Sequence, residues 1–189
     1  MDTNNRWTLR EMVVAAALGV VFGFLYLLWV QFWLFLRGLL GPLSMDIVFG
    51  FWFVASTIAA YVIRKPWAAL GVSMAAVITE ILAGSPAGAI LLLTGLVQGL
   101  GSEVPFLLTR WKRYNMAVLL ASGACASLFS YVYTWIRFSY WTLDSKLLVA
   151  MFILRVTSGI LLGGALGKLI ADWVKKTGVF RGLGIDPIT

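Results

Sequence analysis

Met12 to Leu36 is a run of 25 residues without a single charged side chain. About 20 apolar residues are enough to cross the hydrocarbon core of a bilayer as a helix. A segment of this kind cannot sit in water, and a membrane admits only helices or closed barrels. The rest of the chain follows the same rule. Its 189 residues are 61% hydrophobic and 12% charged, about half the charged share of a soluble protein. Period-2 alternation is absent and the apolar runs have helix length, so the fold class is an all-α integral membrane protein.

Polar punctuation divides the chain into six expected spans. They run from about Leu9 to Leu36, Asp46 to Ile63, Trp67 to Gly84, Gly88 to Thr109, Asn115 to Phe138 and Lys146 to Trp173. The expectation is one six-helix membrane domain over residues 1–189, with a short polar start (1–8) and a short basic tail (174–189). Met1 to Arg10 is polar, and the run after it is too long for the core of a cleavable signal peptide.

Charge sets the expected orientation. With an even number of spans both termini share one side. That side holds Arg6, Arg10, Arg64, Lys65, Arg110, Lys112, Arg113, Lys168, Lys175, Lys176 and Arg181, against Arg37, Arg137 and Lys146 on the other. The positive-inside rule puts both ends in the cytoplasm and the chain in the cell membrane. The net charge of +7 is thus read as topology anchors in contact with the bilayer, not as a nucleic-acid surface. There is no histidine, and Cys125 is the one cysteine, so neither a resident metal or cofactor nor an internal disulfide is expected. No convergent nucleophile and base are present, which argues against an intramembrane enzyme.

Charges inside spans are costly and point to function. Glu80 lies near the outer end of the third span with no basic residue at its depth. Glu103 and Gln98 lie in the fourth, and Arg155 lies two turns into the sixth. Gly95, Gly99 and Glu103 recur every four residues and share a helix face. Two readings stand for Glu103: a structural pair with Arg155, or a contact to ligand. Asp46 follows Ser44 at a helix start and reads as a cap. Trp33, Trp52, Tyr131, Tyr133 and Trp135 cluster near the outer ends of spans, as an interfacial belt or as a ring-lined pocket. Rings with a carboxylate suit a cationic ligand. Ala15, Gly19 and Gly23, and again Gly159, Gly163 and Gly167, form small-residue stripes that allow close helix approach, either within the bundle or onto a partner subunit.

The stretches PLSMDIVFGFWFVAS (Pro42 to Ser56), TEILAGSPAG (Thr79 to Gly88) and GLVQGLGSEVPF (Gly95 to Phe106) complete the picture, with the first stripe. On these the chain resembles the substrate-binding (S) components of energy-coupling-factor (ECF) vitamin transporters, most closely the YkoE-type, thiamine-related branch. The resemblance implies a six-helix bundle that captures a vitamin from outside. A transmembrane coupling subunit and ATP-binding-cassette ATPases would drive release inward. It implies thiamine as ligand, with a precursor such as hydroxymethylpyrimidine as the alternative. It also implies Ala15, Gly19 and Gly23 as the face that meets the coupling subunit. Glu80, Glu103 and Gln98 are then the expected partners of the aminopyrimidine, with Trp33, Trp52, Tyr131, Tyr133 and Trp135 around it.

Overall fold

The computed structural model describes residues 6–186; residues 1–5 and 187–189 of the two expected end segments lie outside the described residues. The described residues are helical, with no β-strand. α1 (Leu9–Leu40) is opened by Thr8, whose hydroxyl accepts from the Glu11 backbone N–H while the Glu11 carboxylate accepts from that of Thr8. This reciprocal cap fits the start of a helix. At 32 residues α1 is about 48 Å long, more than a bilayer core requires.

The second expected span is two helices, not one. α2 (Leu43–Val48) and α3 (Val54–Ile63) are joined by a 3-10 turn, Phe49–Phe53. Every residue of α3 is buried, so this element runs through the middle of the bundle. α4 (Ala68–Leu82), α5 (Leu91–Leu108) and α6 (Met116–Arg137) follow. The sixth span is α7 (Ser145–Ser158), a π-helical segment Gly159–Ala165 and α8 (Leu166–Lys176). Five of the six helical segments are long and apolar enough to cross a membrane. α4 has only 15 residues, about 22 Å, so the third expected span is shorter than the sequence pattern suggested. It packs between α1 and α5, and α5 packs on α6.

Glu103 explains where α4 begins. Its carboxylate accepts from the backbone N–H groups of Trp67 (2.8 Å), Ala69 (3.0 Å) and Leu70 (3.3 Å), and from the Trp111 indole N–H (2.6 Å). A helix leaves its first N–H groups without intrahelical partners, and an anion there is favoured. Trp67 itself cannot cap with a side-chain oxygen, so a carboxylate from α5 does it. The expected Glu103–Arg155 pair is therefore corrected. Arg155 lies on α7, which packs against α2, and its Nε donates to Asp46 at 2.5 Å. Asp46 in turn is not a helix cap: it is the buried partner of that arginine. Arg155 also donates to the Thr134 hydroxyl (2.5 Å) and stacks over Phe49, 4.2 Å from the ring centre.

The small-residue stripes are seams inside the bundle. A Cβ on Gly19 would collide with Ala75, and one on Gly23 would lie 2.6 Å from the Thr79 Cβ, both on α4. Ala15 packs against the core beside them. Gly159 meets Gly123 and Ser127 of α6, and Gly163 meets the Phe53 ring. Of the expected docking face Ala15, Gly19 and Gly23, the two glycines face α4, while Ala15 is half-buried. The tail is also more than a basic extension. Phe180, Leu183 and Ile185 are buried, and the Ile185 N–H donates to the Val62 carbonyl at the end of α3.

Two stability outcomes follow from these contacts. Glu103→Gln removes charge from an acceptor of four hydrogen bonds, one buried and three partly buried, and should lower thermal stability in detergent by about 1.5–3 kcal/mol. An unchanged melting temperature would contradict the capping role. Gly19→Leu forces a large side chain into the α1–α4 seam and should cost about 1–3 kcal/mol or prevent folding, as read by size-exclusion profile and melting temperature.

Candidate functional site

The helix ends opposite the basic loops enclose a cavity of about 310 Å³. This lies at the lower edge of the roughly 300–1,000 Å³ usual for small-molecule sites. α1 contributes Tyr26, Val30 and Trp33, which share one helix face. Met45, Phe49 and Trp52 come from α2 and the turn after it. Val77 and Glu80 come from α4, and Ser85, Pro86 and Ala87 from the loop that ends it. α5 gives Leu91, Thr94 and Gln98. α6 gives Ser130, Tyr133, Thr134 and Arg137, and Phe138 follows it.

Six rings line the walls: Tyr26, Trp33, Phe49, Trp52, Tyr133 and Phe138. Trp33 meets Trp52 edge-on at 6.2 Å between centres, and Phe49 meets Trp52 in the same way at 5.8 Å. Tyr26 is held in place because its hydroxyl accepts the Ala55 backbone N–H at the start of α3. Thr94 and Tyr133 join α5 to α6 through their hydroxyls at 3.3 Å. These contacts between wall residues fix their positions, and preorganisation of this kind lowers the cost of binding a small molecule.

Two buried polar side chains of the cavity, Glu80 and Gln98, are short of partners. Glu80 is 3% exposed. The Ser85 hydroxyl donates to it at 3.5 Å, a long contact, and none of the ion pairs among the described residues includes it. The Gln98 amide is 5% exposed and makes no hydrogen bond to another described residue. The shortness of α4 is what sets Glu80 here. Its start is fixed by Glu103 and its end by the Ser85-Pro86 turn, where the Ser85 N–H donates to the Glu80 carbonyl.

Five of the eight expected ligand contacts line this cavity: Glu80, Gln98, Trp33, Trp52 and Tyr133. Three do not. Glu103 is at the other end of α5, occupied with the α4 cap. Tyr131 donates its hydroxyl to the Leu148 carbonyl and packs against Tyr140 and Phe152 behind the Arg155 guanidinium. Trp135 sits edge-on against Tyr131 and is partly exposed on the outer side of α6. Tyr26, Ser85 and Thr94 were not foreseen. Tyr26 carries a signal that could have found it, because it stands two helical turns before Trp33 on the same face. Ser85 and Thr94 carry none that separates them from ordinary turn and helix residues.

Comparison with known proteins agrees with this architecture. A family model described as "ABC-type cobalt transport system, permease component" matches residues 10–129. The "Putative HMP/thiamine permease protein YkoE" of Bacillus subtilis (strain 168) is 40% identical over 179 residues, covering 95% of this chain and 90% of the relative. A solved structure titled "Crystal structure of an S-component of ECF transporter" superposes with a TM-score of 0.92 at 39% identity, over 95% of this chain and 91% of that one. The chain belongs to this family of ECF-transporter S components, and is a multi-pass membrane transport protein, not an enzyme.

Proposed function

We propose that this chain is the substrate-capture subunit of an ATP-driven importer, and that it binds thiamine in the cavity around Glu80. The observation that carries the reading is the carboxylate itself. A charge buried in a membrane protein normally has a partner, and Glu80 has only a long contact to a serine hydroxyl. A cationic ligand that also carries an amine supplies what is missing. The rings of Trp33, Trp52 and Tyr133 offer stacking and cation–π attraction to a flat heteroaromatic, and the free Gln98 amide offers a donor and an acceptor.

The word cobalt in the family description belongs to that model. Here the cavity holds one carboxylate, the chain has no histidine, and no group of three metal-binding side chains occurs among the described residues. That donor set suits an organic cation better than a transition-metal ion. The relative's name couples thiamine with hydroxymethylpyrimidine. The cavity's modest volume favours the smaller ligand as a second reading.

The orientation belongs to the same proposal. The cavity opens at the end of the bundle away from Arg64, Lys65, Arg110, Lys112 and Arg113, so the positive-inside rule turns it outward and puts both termini in the cytoplasm. The whole chain acts as one membrane domain. A coupling subunit and its ATPases drive release. Their contact surface lies elsewhere than the Gly19–Gly23 seam, which α4 fills.

Calorimetry on purified protein with thiamine, its pyrimidine and thiazole fragments, and riboflavin as control tests the ligand. Thiamine is expected to bind at micromolar levels or better without ATP or metal. Heat from the pyrimidine alone would select the second reading, and no heat from either would end both. Glu80→Gln should weaken thiamine binding by about 2 kcal/mol or more, roughly 30-fold, with the melting temperature nearly unchanged.

A further inference from the structure

The loop between α5 and α6 turns its rings inward and its cations outward. The Trp111 indole donates to Glu103, and the Tyr114 ring stacks on Phe106 at 5.5 Å between centres, with the Arg64 guanidinium 5.4 Å from the Tyr114 centre. Arg110 and Trp111 stand side by side with φ of 52° and 53°, a left-handed backbone that such residues keep only where their surroundings hold them. The Trp111 N–H donates to the Phe106 carbonyl and fixes that turn. Arg110, Lys112 and Arg113 are left exposed, and the loop from Thr109 to Asn115 contains no acid. None of these three cations makes an ion pair or a side-chain hydrogen bond to another described residue.

A groove between the two helices begins at Arg113. Pro105 and Leu108 of α5 form one side, and Ala117, Val118 and Ala121 of α6 form the other. Ala117 and Ala121 share a helix face and carry only methyl groups, which leaves the groove its depth. Its other polar side chains are already engaged. Asn115 accepts from the Val118 N–H, and the Thr109 hydroxyl donates to the Pro105 and Phe106 carbonyls. Leu108 is 77% exposed, and in a bilayer such a surface meets acyl chains. An apolar slot that ends on cations fits one amphiphile, an acyl chain with an anionic head. A zwitterionic head would bring its own cation to three positive charges. The planar arginine fork matches phosphate in particular. Under the orientation proposed above, this loop meets the cytoplasmic leaflet, which carries the anionic lipids. Basic pockets between membrane helices on that side hold such headgroups.

We propose that the α5–α6 groove is a binding site for one anionic phospholipid, with its phosphate on Arg113 and an acyl chain along Pro105, Leu108 and Ala121. Trp111 ties this loop to Glu103 and so to the start of α4, and a lipid seated here braces that cap from outside. The groove lies at the other end of α5 from the ring-lined cavity.

The test uses the full-length protein, stripped of lipid in detergent and given phosphatidylglycerol or phosphatidylcholine at equal mole fraction. Native mass spectrometry counts the lipids retained, and a thermal melt reads the stabilisation. Phosphatidylglycerol should be retained and should raise the melting temperature, phosphatidylcholine much less, and added salt should shrink the difference. Arg113→Gln should cut retention about fivefold, the effect of one basic contact to an anionic lipid. Arg37→Gln makes the same charge change at the far end of α1 and should leave retention unchanged. Ala121→Trp fills the groove, keeps every charge and should also lose the lipid. Equal retention of the two lipids would overturn the inference. Equal losses in Arg113→Gln and Arg37→Gln, or full retention in Ala121→Trp, would overturn it too, since the cations would then act only as a diffuse basic face. Displacement of the lipid by inorganic phosphate alone would make the groove a free-anion site, and no retention by the parent protein would leave it to a protein partner; either result ends the proposal. The thiamine reading stands or falls separately from all of these outcomes.

Discussion

A membrane interior tolerates a carboxylate only when something answers its charge, and this bundle is organised by how it meets that demand. Four acids are buried among the described residues: Glu11, Asp46, Glu80 and Glu103. Glu11 closes the cap of α1 and lies 3.8 Å from Lys65. Asp46 holds Arg155. Glu103 collects three backbone N–H groups and an indole. Glu80 alone is left with a single long contact, and it is the one that faces a cavity. Glu11, Asp46 and Glu103 each join separate parts of the chain through an ion pair or hydrogen bonds, whereas Glu80 faces the cavity.

The remaining architecture serves that placement. α4 is short because a carboxylate from α5 fixes its start and a Ser-Pro turn fixes its end. α1 can lie close to α4 because Gly19 and Gly23 present no side chain to it, so Tyr26 and Trp33 reach the cavity from one side while Glu80 reaches it from the other. The Arg155–Asp46 pair locks α7 to α2 behind Phe49, Ser130 and Thr134, which form the back wall. In lipid such contacts rely on close packing and satisfied polar groups, because hydrophobic exclusion between helices is lost.

The spans were legible in the sequence because a charge-free run of helix length has few alternatives in any fold. Glu80 was legible for a related reason: a carboxylate at a span end with no basic residue at its depth stands out in a chain this apolar. Arg155 was assigned the wrong partner because pairing depends on which helices touch, and sequence order carries no such information. The role of Glu103 was hidden because its partners are backbone N–H groups, which every residue but proline possesses and no letter marks. The stripe in α1 announced a close approach without naming the helix that approaches. Small residues every four positions look the same whether the neighbour is α4 or another subunit. Rings likewise read alike as belt or pocket, which is why Tyr131 and Trp135 were grouped with Tyr133 although one helix turns them to different surroundings.

The central claim is that the ligand supplies the charge partner Glu80 lacks. The most direct measurement is an experimental structure of the protein with thiamine bound, at a resolution that places the carboxylate oxygens. The account predicts a donor of the ligand within about 3 Å of a Glu80 oxygen, the usual hydrogen-bond distance, with the rings of Trp33 and Trp52 beside it. Ligand density elsewhere, or a Glu80 that turns to a protein donor while the ligand sits apart from it, would contradict the claim.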